Sequence, residues 1–213
     1  MRYLALFALL LTPNIALAEA QVSAQDAGWM ATNFFSPCAQ NCEITVLAGQ
    51  SVTQTPMTSI FLHANPPTNW QWDDSYIFLA AFSRPLLSYS GYFSISPEIG
   101  LAKRFGPADG FESWVVLFFR WTYFPWNQYL RTSVGVGIGP SLSNDVSVIS
   151  GSVVSNSGVH VVNYFSPEIT LGLPSGPRWD AVIRFQHRSP IWGLLPLSSG
   201  APQFVTVGLR FRF

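Results

Sequence analysis

The last eleven residues of the chain, QFVTVGLRFRF, alternate between two kinds of side chain. Apolar residues hold every second position from Val205 to Phe213, and the positions between them include Arg210 and Arg212. A period of two indicates a β-strand whose faces meet different surroundings. An arginine that faces hydrocarbon at mid-depth in a bilayer costs about 2–4 kcal/mol. The segment therefore predicts a strand with an apolar side toward lipid and a charged side toward a protein interior.

The composition supports a membrane environment reached through strands. Charged residues make up 10 % of the chain, and hydrophobic residues make up 48 %. Ordinary globular domains contain roughly 25 % charged residues. Beyond the first twenty residues no apolar run, Trp114 to Phe119 included, approaches the ~20 residues of a membrane helix. A transmembrane β-barrel suits such a chain, because only every second residue meets lipid. The net charge of zero gives no indication of a nucleic-acid partner.

The N-terminus has the organisation of an export signal. Arg2 precedes an apolar stretch, and the small-residue site Ala16-Leu17-Ala18 follows. This pattern predicts a secretory signal peptide over residues 1–18, removed from the mature protein. We expect residues 19–42 to form a periplasmic segment and residues 43–213 to form a single outer-membrane barrel.

The two cysteines, Cys38 and Cys42, lie close together in the segment SPCAQNCE. Export favours a disulfide over free thiols. A metal site is the weaker interpretation, since two thiols do not complete a zinc site and no histidine is near. We therefore predict a disulfide, and we expect neither a metal nor a cofactor.

Segments of alternating or aromatic-rich sequence, bounded by turn residues, predict the strands. They are 11 to 14 residues long, near the ~9–11 that a tilted strand needs to cross a bilayer, whereas strands in globular proteins average about 5–6. This indicates an all-β fold, an eight-stranded antiparallel transmembrane barrel. The eight strands are predicted at Glu43–Thr53, Asp74–Arg84, Gly91–Arg104, Phe111–Phe124, Tyr129–Ser141, His160–Leu173, Arg178–Arg188 and Gln203–Phe213.

The same alternation assigns charged side chains to the lumen. Eight-stranded barrels have interiors filled by side chains, and a buried charge needs a partner. We therefore favour structural packing over a catalytic role for these residues. The predicted lumen network comprises Glu98, Glu168, Arg120, Arg131, Arg184, Arg210 and Arg212, together with Asp180.

The seventh predicted strand carries two polar residues on its other face. Asp180 and Arg184 fix the lumen side, so His187 and Ser189 point outward near the strand's extracellular end, level with the outer leaflet. A serine hydroxyl becomes a good nucleophile when a neighbouring base takes its proton. The pair is therefore either a hydrolytic site at the lipid surface or two interfacial residues beside lipid head groups.

At this point the chain resembles the lipid A 3-O-deacylases of the PagL type. The resemblance is carried by His187-Arg188-Ser189 near the end of the penultimate strand, by the following WGL segment and by the GLRFRF ending. It implies an outer-membrane barrel that hydrolyses the 3-position acyl ester of lipid A, with His187 as general base and Ser189 as nucleophile. The final residue, Phe213, also resembles the end of bacterial outer-membrane barrels that insertion machinery recognises.

Two departures from that family are visible. The family places an acidic residue about a dozen positions after its serine, which is Ala201 here, and no Asp or Glu follows Asp180. Asp145 and His160 are the candidate substitutes. The family also follows its serine with an asparagine that helps form the oxyanion hole, whereas this chain has Pro190, which offers no N–H.

Three functions remain open on the sequence. The first is a serine esterase that acts on lipid A, and the second is a catalytically silent outer-membrane barrel with a structural or lipopolysaccharide-binding role. The third is a secreted soluble barrel of lipocalin type, which the charged lumen and apolar exterior oppose. The chain contains no Gly-rich phosphate loop, no HExxH and no GxSxG motif, and His63 is interpreted as a surface residue.

Overall fold

The computed structural model describes residues 28–33, 35–38, 41–53, 55, 57–143, 147–149, 152–154, 160–189 and 203–213. The predicted signal peptide lies outside the described residues. Secondary structure follows in chain order: β1 (Trp29–Ala31), β2 (Glu43–Thr53), helix α1 (Met57–Leu62), a 3-10 turn (Pro67–Asn69), β3 (Gln71–Ser83), β4 (Leu87–Tyr89), β5 (Phe93–Phe105), β6 (Gly110–Trp121), β7 (Arg131–Ser143), β8 (Ser147–Ile149), β9 (Ser152–Val154), β10 (His160–Gly172), β11 (Trp179–Ser189) and β12 (Gln203–Arg212).

Eight of these strands form a closed antiparallel barrel. Its order is β2, β3, β5, β6, β7, β10, β11 and β12, and the pairing of β12 with β2 completes the ring. The predicted eight-stranded antiparallel barrel is therefore confirmed. No helix within the described ranges is long and apolar enough to cross a membrane. We call the end where β12 begins the upper end, and the end where the chain terminates the lower end.

The structure adds short elements that the sequence did not predict. At the lower end β4 pairs with β5, and β1 pairs with β4. Between β7 and β10, β8 pairs with β9. Each of these four strands has three residues, too few to display a period of two.

Burial follows the predicted alternation. On β12, Val207 is 57 % exposed and Leu209 is 53 % exposed, whereas Thr206 is fully buried and Arg210 is 1 % exposed. On β6 the same contrast separates Val115 on the outside from Trp114 within. A closed barrel leaves no strand edge unpaired, and its exterior is apolar. These are the two conditions for spanning hydrocarbon with strands.

Buried ion pairs fill the centre of the lumen. Glu168 accepts hydrogen bonds from Arg184 at 2.6 Å, from Arg210 at 2.7 Å and from Arg120 at 2.9 Å. Arg184 also donates to both oxygens of Glu98, each at 2.8 Å. The carboxylates and guanidiniums thus balance one another's charge in a place with little access to water. The interior is a packed network at this level.

A second group of ion pairs lies lower in the lumen. Asp180 pairs with Arg131 at 2.6 Å and also with Arg212. Arg212 also donates to Glu43 at 3.1 Å. Each of the seven predicted lumen residues therefore takes part in an ion pair with a residue of another strand.

Two of the buried guanidiniums at the centre lie against the same aromatic ring. Phe118 has the guanidinium of Arg120 at 4.4 Å and that of Arg184 at 4.6 Å from its ring centre, an arrangement that cation–π attraction favours. Gly137 on β7 faces the same ring, and a Cβ there would lie 2.6 Å from it. Gly135, Gly137 and Gly139 of β7 thus leave room for side chains from β6.

The N-terminal segment lies at the lower end. A disulfide joins Cys38 to Cys42, as the export argument predicted. Cys42 and Phe213 exchange backbone hydrogen bonds at 3.0 and 3.3 Å. Arg84, at the lower end of β3, donates to the hydroxyl of Ser36 at 2.6 Å. The segment is therefore anchored to both the last and the third strand.

The first prediction concerns the centre of the lumen. Glu168→Gln removes the charge that three buried arginines share, so we expect the free energy of unfolding to fall by about 3–5 kcal/mol. Urea unfolding of the barrel in lipid vesicles, followed by tryptophan fluorescence, measures this. The matched control is Asp109→Asn, which breaks only the exposed pair with Lys103 and should cost less than about 1 kcal/mol. Equal stability of Glu168→Gln and the wild type would contradict the network.

The second prediction concerns the exterior. Val207 lies midway along β12 on the outer face, so Val207→Arg should lower the unfolding free energy in vesicles by about 2–4 kcal/mol. Leu173→Arg is the control, because Leu173 is 62 % exposed and directly follows the lower end of β10, where arginine costs about 0–1 kcal/mol. A soluble barrel would tolerate both substitutions equally well.

Candidate functional site

His187 lies on the outer face of the barrel near the upper end of β11. Ile183 is 48 % exposed on the same face, whereas Arg184 and Arg188 are buried toward the lumen. The imidazole is half-buried, and its residue pairs across the sheet with Phe165 of β10. A polar ring therefore occupies a position that most of this face gives to apolar side chains.

The other predicted members of the site are only partly described. Ser189 is the last residue of β11 and pairs with Asn163. It lies two positions beyond His187, but its side chain is outside the described part of the structure. His160 begins β10 and pairs with Ser143, and only its backbone is described. Asp145, Pro190 and Ala201 lie outside the described residues.

The connection between β2 and β3 lies against the outside of the barrel at Phe185, two positions before His187. The ring of Phe61, in α1, packs edge-on against the ring of Phe185, with centroids 5.5 Å apart. Val52 and Phe185 both occupy outward positions, yet they are only 1 % and 5 % exposed. This part of the outer face is thus covered by protein. We call the group formed by Val52, Phe61, Phe185, His187 and Gln203 the covered rim.

Gln203 is the polar residue of the covered rim that sequence reasoning missed. It begins β12, pairs with Val52 of β2, and donates from Nε2 to the backbone oxygen of Thr55 at 3.3 Å. Its Oε1 is buried and has no hydrogen-bond partner among the described residues, and the same holds for Nδ1 of His187. The only sequence signal for this residue is its outward parity on the last strand.

The charged residues at the same height belong to the lumen. Arg188 lies 3.6 Å from Glu112, and the hydroxyl of Ser141 donates to that carboxylate at 2.9 Å. These groups are on the opposite face of the sheet from His187. The outward positions of β10, β11 and β12 within the described ranges contain no Asp or Glu. The imidazole therefore has no carboxylate neighbour on its own face of these strands.

The chemistry available at the covered rim is that of an imidazole and an amide. In the described part of the chain, no cluster of three or more His, Cys, Asp or Glu residues is arranged to hold a metal ion. The imidazole can accept or donate a proton, and the amide can both donate and accept hydrogen bonds. Such groups suit proton transfer to or from a hydroxyl at the boundary between protein and lipid.

No family model matches the chain, and no curated protein matches it. Several solved structures share its general form. Neisserial surface protein A is 6 % identical over 84 % of this chain and 100 % of its own, with a TM-score of 0.49. The N-terminal β-barrel domain of Pseudomonas aeruginosa OprF is 9 % identical over 80 % and 97 %, with a TM-score of 0.43. Yersinia pestis Ail, in complex with the heparin analogue sucrose octasulfate, is 13 % identical over 81 % and 99 %, with a TM-score of 0.37.

These likenesses concern fold alone. The barrel itself is established by the strand pairing and burial of this chain.

A double-mutant cycle tests the contact between α1 and the outer face of β11. Phe61→Ala and Phe185→Ala should show a coupling energy of about 0.5–1.5 kcal/mol, the range for a paired aromatic contact. Urea unfolding in vesicles measures it. Phe61→Ala combined with Leu101→Ala on β5 is the control and should be additive within about 0.3–0.5 kcal/mol. Additivity of the Phe61 and Phe185 substitutions would show that α1 does not pack there in the membrane.

Proposed function

We propose that this chain is a bacterial outer-membrane barrel that hydrolyses an acyl ester of lipid A, in the manner of a 3-O-deacylase. In this proposal the upper end faces the cell exterior, and the covered rim lies at the level of the outer leaflet. Phe213 then ends the last strand on the periplasmic side, where insertion machinery would bind it. His187 is the general base, and Ser189 is the nucleophile.

The observation that carries the proposal is the half-buried imidazole on the lipid-facing side of β11. Its Nδ1 has no partner among the described residues. A buried polar atom without a hydrogen bond costs about 1–3 kcal/mol, so an outward position near lipid is a poor place for histidine on structural grounds alone. A proton-transfer role accounts for the residue.

The reaction follows from the pair of side chains. The hydroxyl oxygen of Ser189 attacks the ester carbonyl carbon while Nε2 of His187 takes its proton. The tetrahedral intermediate then expels the sugar hydroxyl, which receives that proton. Water, deprotonated by the same imidazole, attacks the acyl-serine; the bond to the serine oxygen breaks, that oxygen takes back the proton, and the fatty acid is released. These reaction steps require no metal or cofactor.

The substrate class follows from the position. Lipid A is the acylated anchor of lipopolysaccharide, and its esters lie just below the head groups of the outer leaflet. Phe61, which is 50 % exposed and packs on Phe185, offers an apolar surface for an acyl chain on the same part of the outer face as the imidazole. The 3-position ester is the bond that the resemblance to the PagL-type deacylases indicates.

Mass spectrometry of lipid A from cells that carry each variant tests the proposal. The wild type should produce lipid A lighter by one acyl chain, together with the free fatty acid. Ser189→Ala should abolish both products. His187→Ala should slow their formation by about 10²–10⁴-fold, the usual contribution of a general base.

Two variants serve as matched controls. Ser113→Ala removes another outward serine, on β6, and His63→Ala removes an exposed histidine; both should retain wild-type activity. Unchanged lipid A in cells rich in the folded wild-type barrel would refute the esterase. It would leave the catalytically silent, lipopolysaccharide-binding barrel as the function.

A further inference from the structure

We infer that Gln203 is the positioning residue that orients the imidazole of His187, in the place where a serine hydrolase ordinarily uses a carboxylate. This inference rests on the proposed function for its catalytic consequence. The arrangement of the two side chains, however, can be tested without any activity.

The register between the last two strands determines which of their residues lie opposite each other. Phe185 pairs with Val205, and Gln186 pairs with Phe204. The next position in this antiparallel register sets His187 opposite Gln203, and both belong to the outer face. Directly opposed residues have Cβ atoms about 4.5–5.5 Å apart, within reach of an imidazole and an amide.

Each of the two side chains has one unused atom. Nδ1 of His187 and Oε1 of Gln203 are both buried, and neither has a hydrogen-bond partner within the described ranges. They are therefore complementary, because a neutral imidazole can donate from Nδ1 and an amide oxygen can accept. In their present rotamers the two atoms do not bond each other. The proposed pairing requires a change of side-chain rotamer that brings the two atoms within hydrogen-bond distance.

A hydrogen bond to the backbone fixes the orientation of the Gln203 amide. Nε2 of Gln203 donates to the backbone oxygen of Thr55 at 3.3 Å. A carbonyl oxygen only accepts, so it must face the NH₂ group, which identifies the unpartnered amide atom as the oxygen. The connection between β2 and β3 thus holds Gln203 with its acceptor free.

The consequence is a defined tautomer. When Nδ1–H donates to Oε1, the lone pair of the imidazole is on Nε2, the atom that must take a proton from Ser189. A neutral acceptor forms a weaker bond to the imidazole than an ionised one would. Gln203 therefore fixes the base in its active form but stabilises the imidazolium less than a carboxylate does.

Imidazole ¹⁵N NMR of the barrel in detergent micelles tests the arrangement directly. The chain has three histidines, so His63→Gln with His160→Gln leaves His187 as the single signal. We expect the Nδ1–H tautomer to dominate in this background, and Gln203→Leu should shift the population toward Nε2–H. A tautomer population unchanged by Gln203→Leu would overturn the inference.

The matched control is Gln50→Leu. Gln50 is also an outward glutamine, and its amide donates to the backbone oxygen of Asp73 at 2.9 Å, but it pairs with Val205 instead of lying opposite His187. It should leave the imidazole signal unchanged. If Gln203→Leu fails to fold, Gln203→Asn takes its place, because the shorter side chain should likewise fail to reach Nδ1.

Kinetics then separates the two proposals. Gln203→Leu should lower kcat for lipid A deacylation by about tenfold with little change in KM, as expected for one hydrogen bond. Gln203→Glu, which keeps an acceptor at this position, should not show this loss of kcat. Unchanged kcat in Gln203→Leu would refute the positioning role while leaving the esterase intact. An inactive wild type would refute the esterase, and the NMR result would still decide the pairing.

Discussion

The ion pairs around Glu168 are the interaction on which the rest of the barrel depends. Three guanidiniums meet one carboxylate in a place with almost no access to water, and each charge is tolerable only because the others are present. They come from four different strands, β6, β10, β11 and β12. The network therefore fixes which face of each strand points inward, and a slip of one residue would carry its charges into lipid.

Once the inward faces are fixed, the outward faces are fixed as well, and their chemistry becomes informative. Most outward positions at mid-strand are apolar and exposed, such as Ile183 and Val207. At the upper ends of β2, β11 and β12 the outward residues are instead buried under protein or polar. Because Phe61 covers Phe185 there, this region is a surface built of protein at the upper end of the barrel. A polar pair can exist in such a surface without facing hydrocarbon.

The sequence predicted those features that each strand displays by itself. The alternation in QFVTVGLRFRF and the parity of Glu98, Glu168 and Arg184 are local, so strand positions and lumen faces could be inferred. It could not predict α1 or the contact between Phe61 and Phe185, which joins residues far apart in the chain. It missed Gln203 because the opposition to His187 depends on the register between β11 and β12. The residues that connect those strands, 190–202, give no indication of that register.

An amide opposite His187 also makes physical sense for an outward-facing site. A carboxylate at this position would have to be kept charged at the edge of a membrane, where losing water costs an ion far more than it costs a neutral amide. In the lumen that cost is offset by guanidiniums from several strands, as Glu168 demonstrates. On the outer faces of β10, β11 and β12 the described residues include no arginine or lysine to do the same. A neutral acceptor, the role we propose for Gln203, is therefore the orienting group that this surface can hold with the least desolvation, at the expense of catalytic strength.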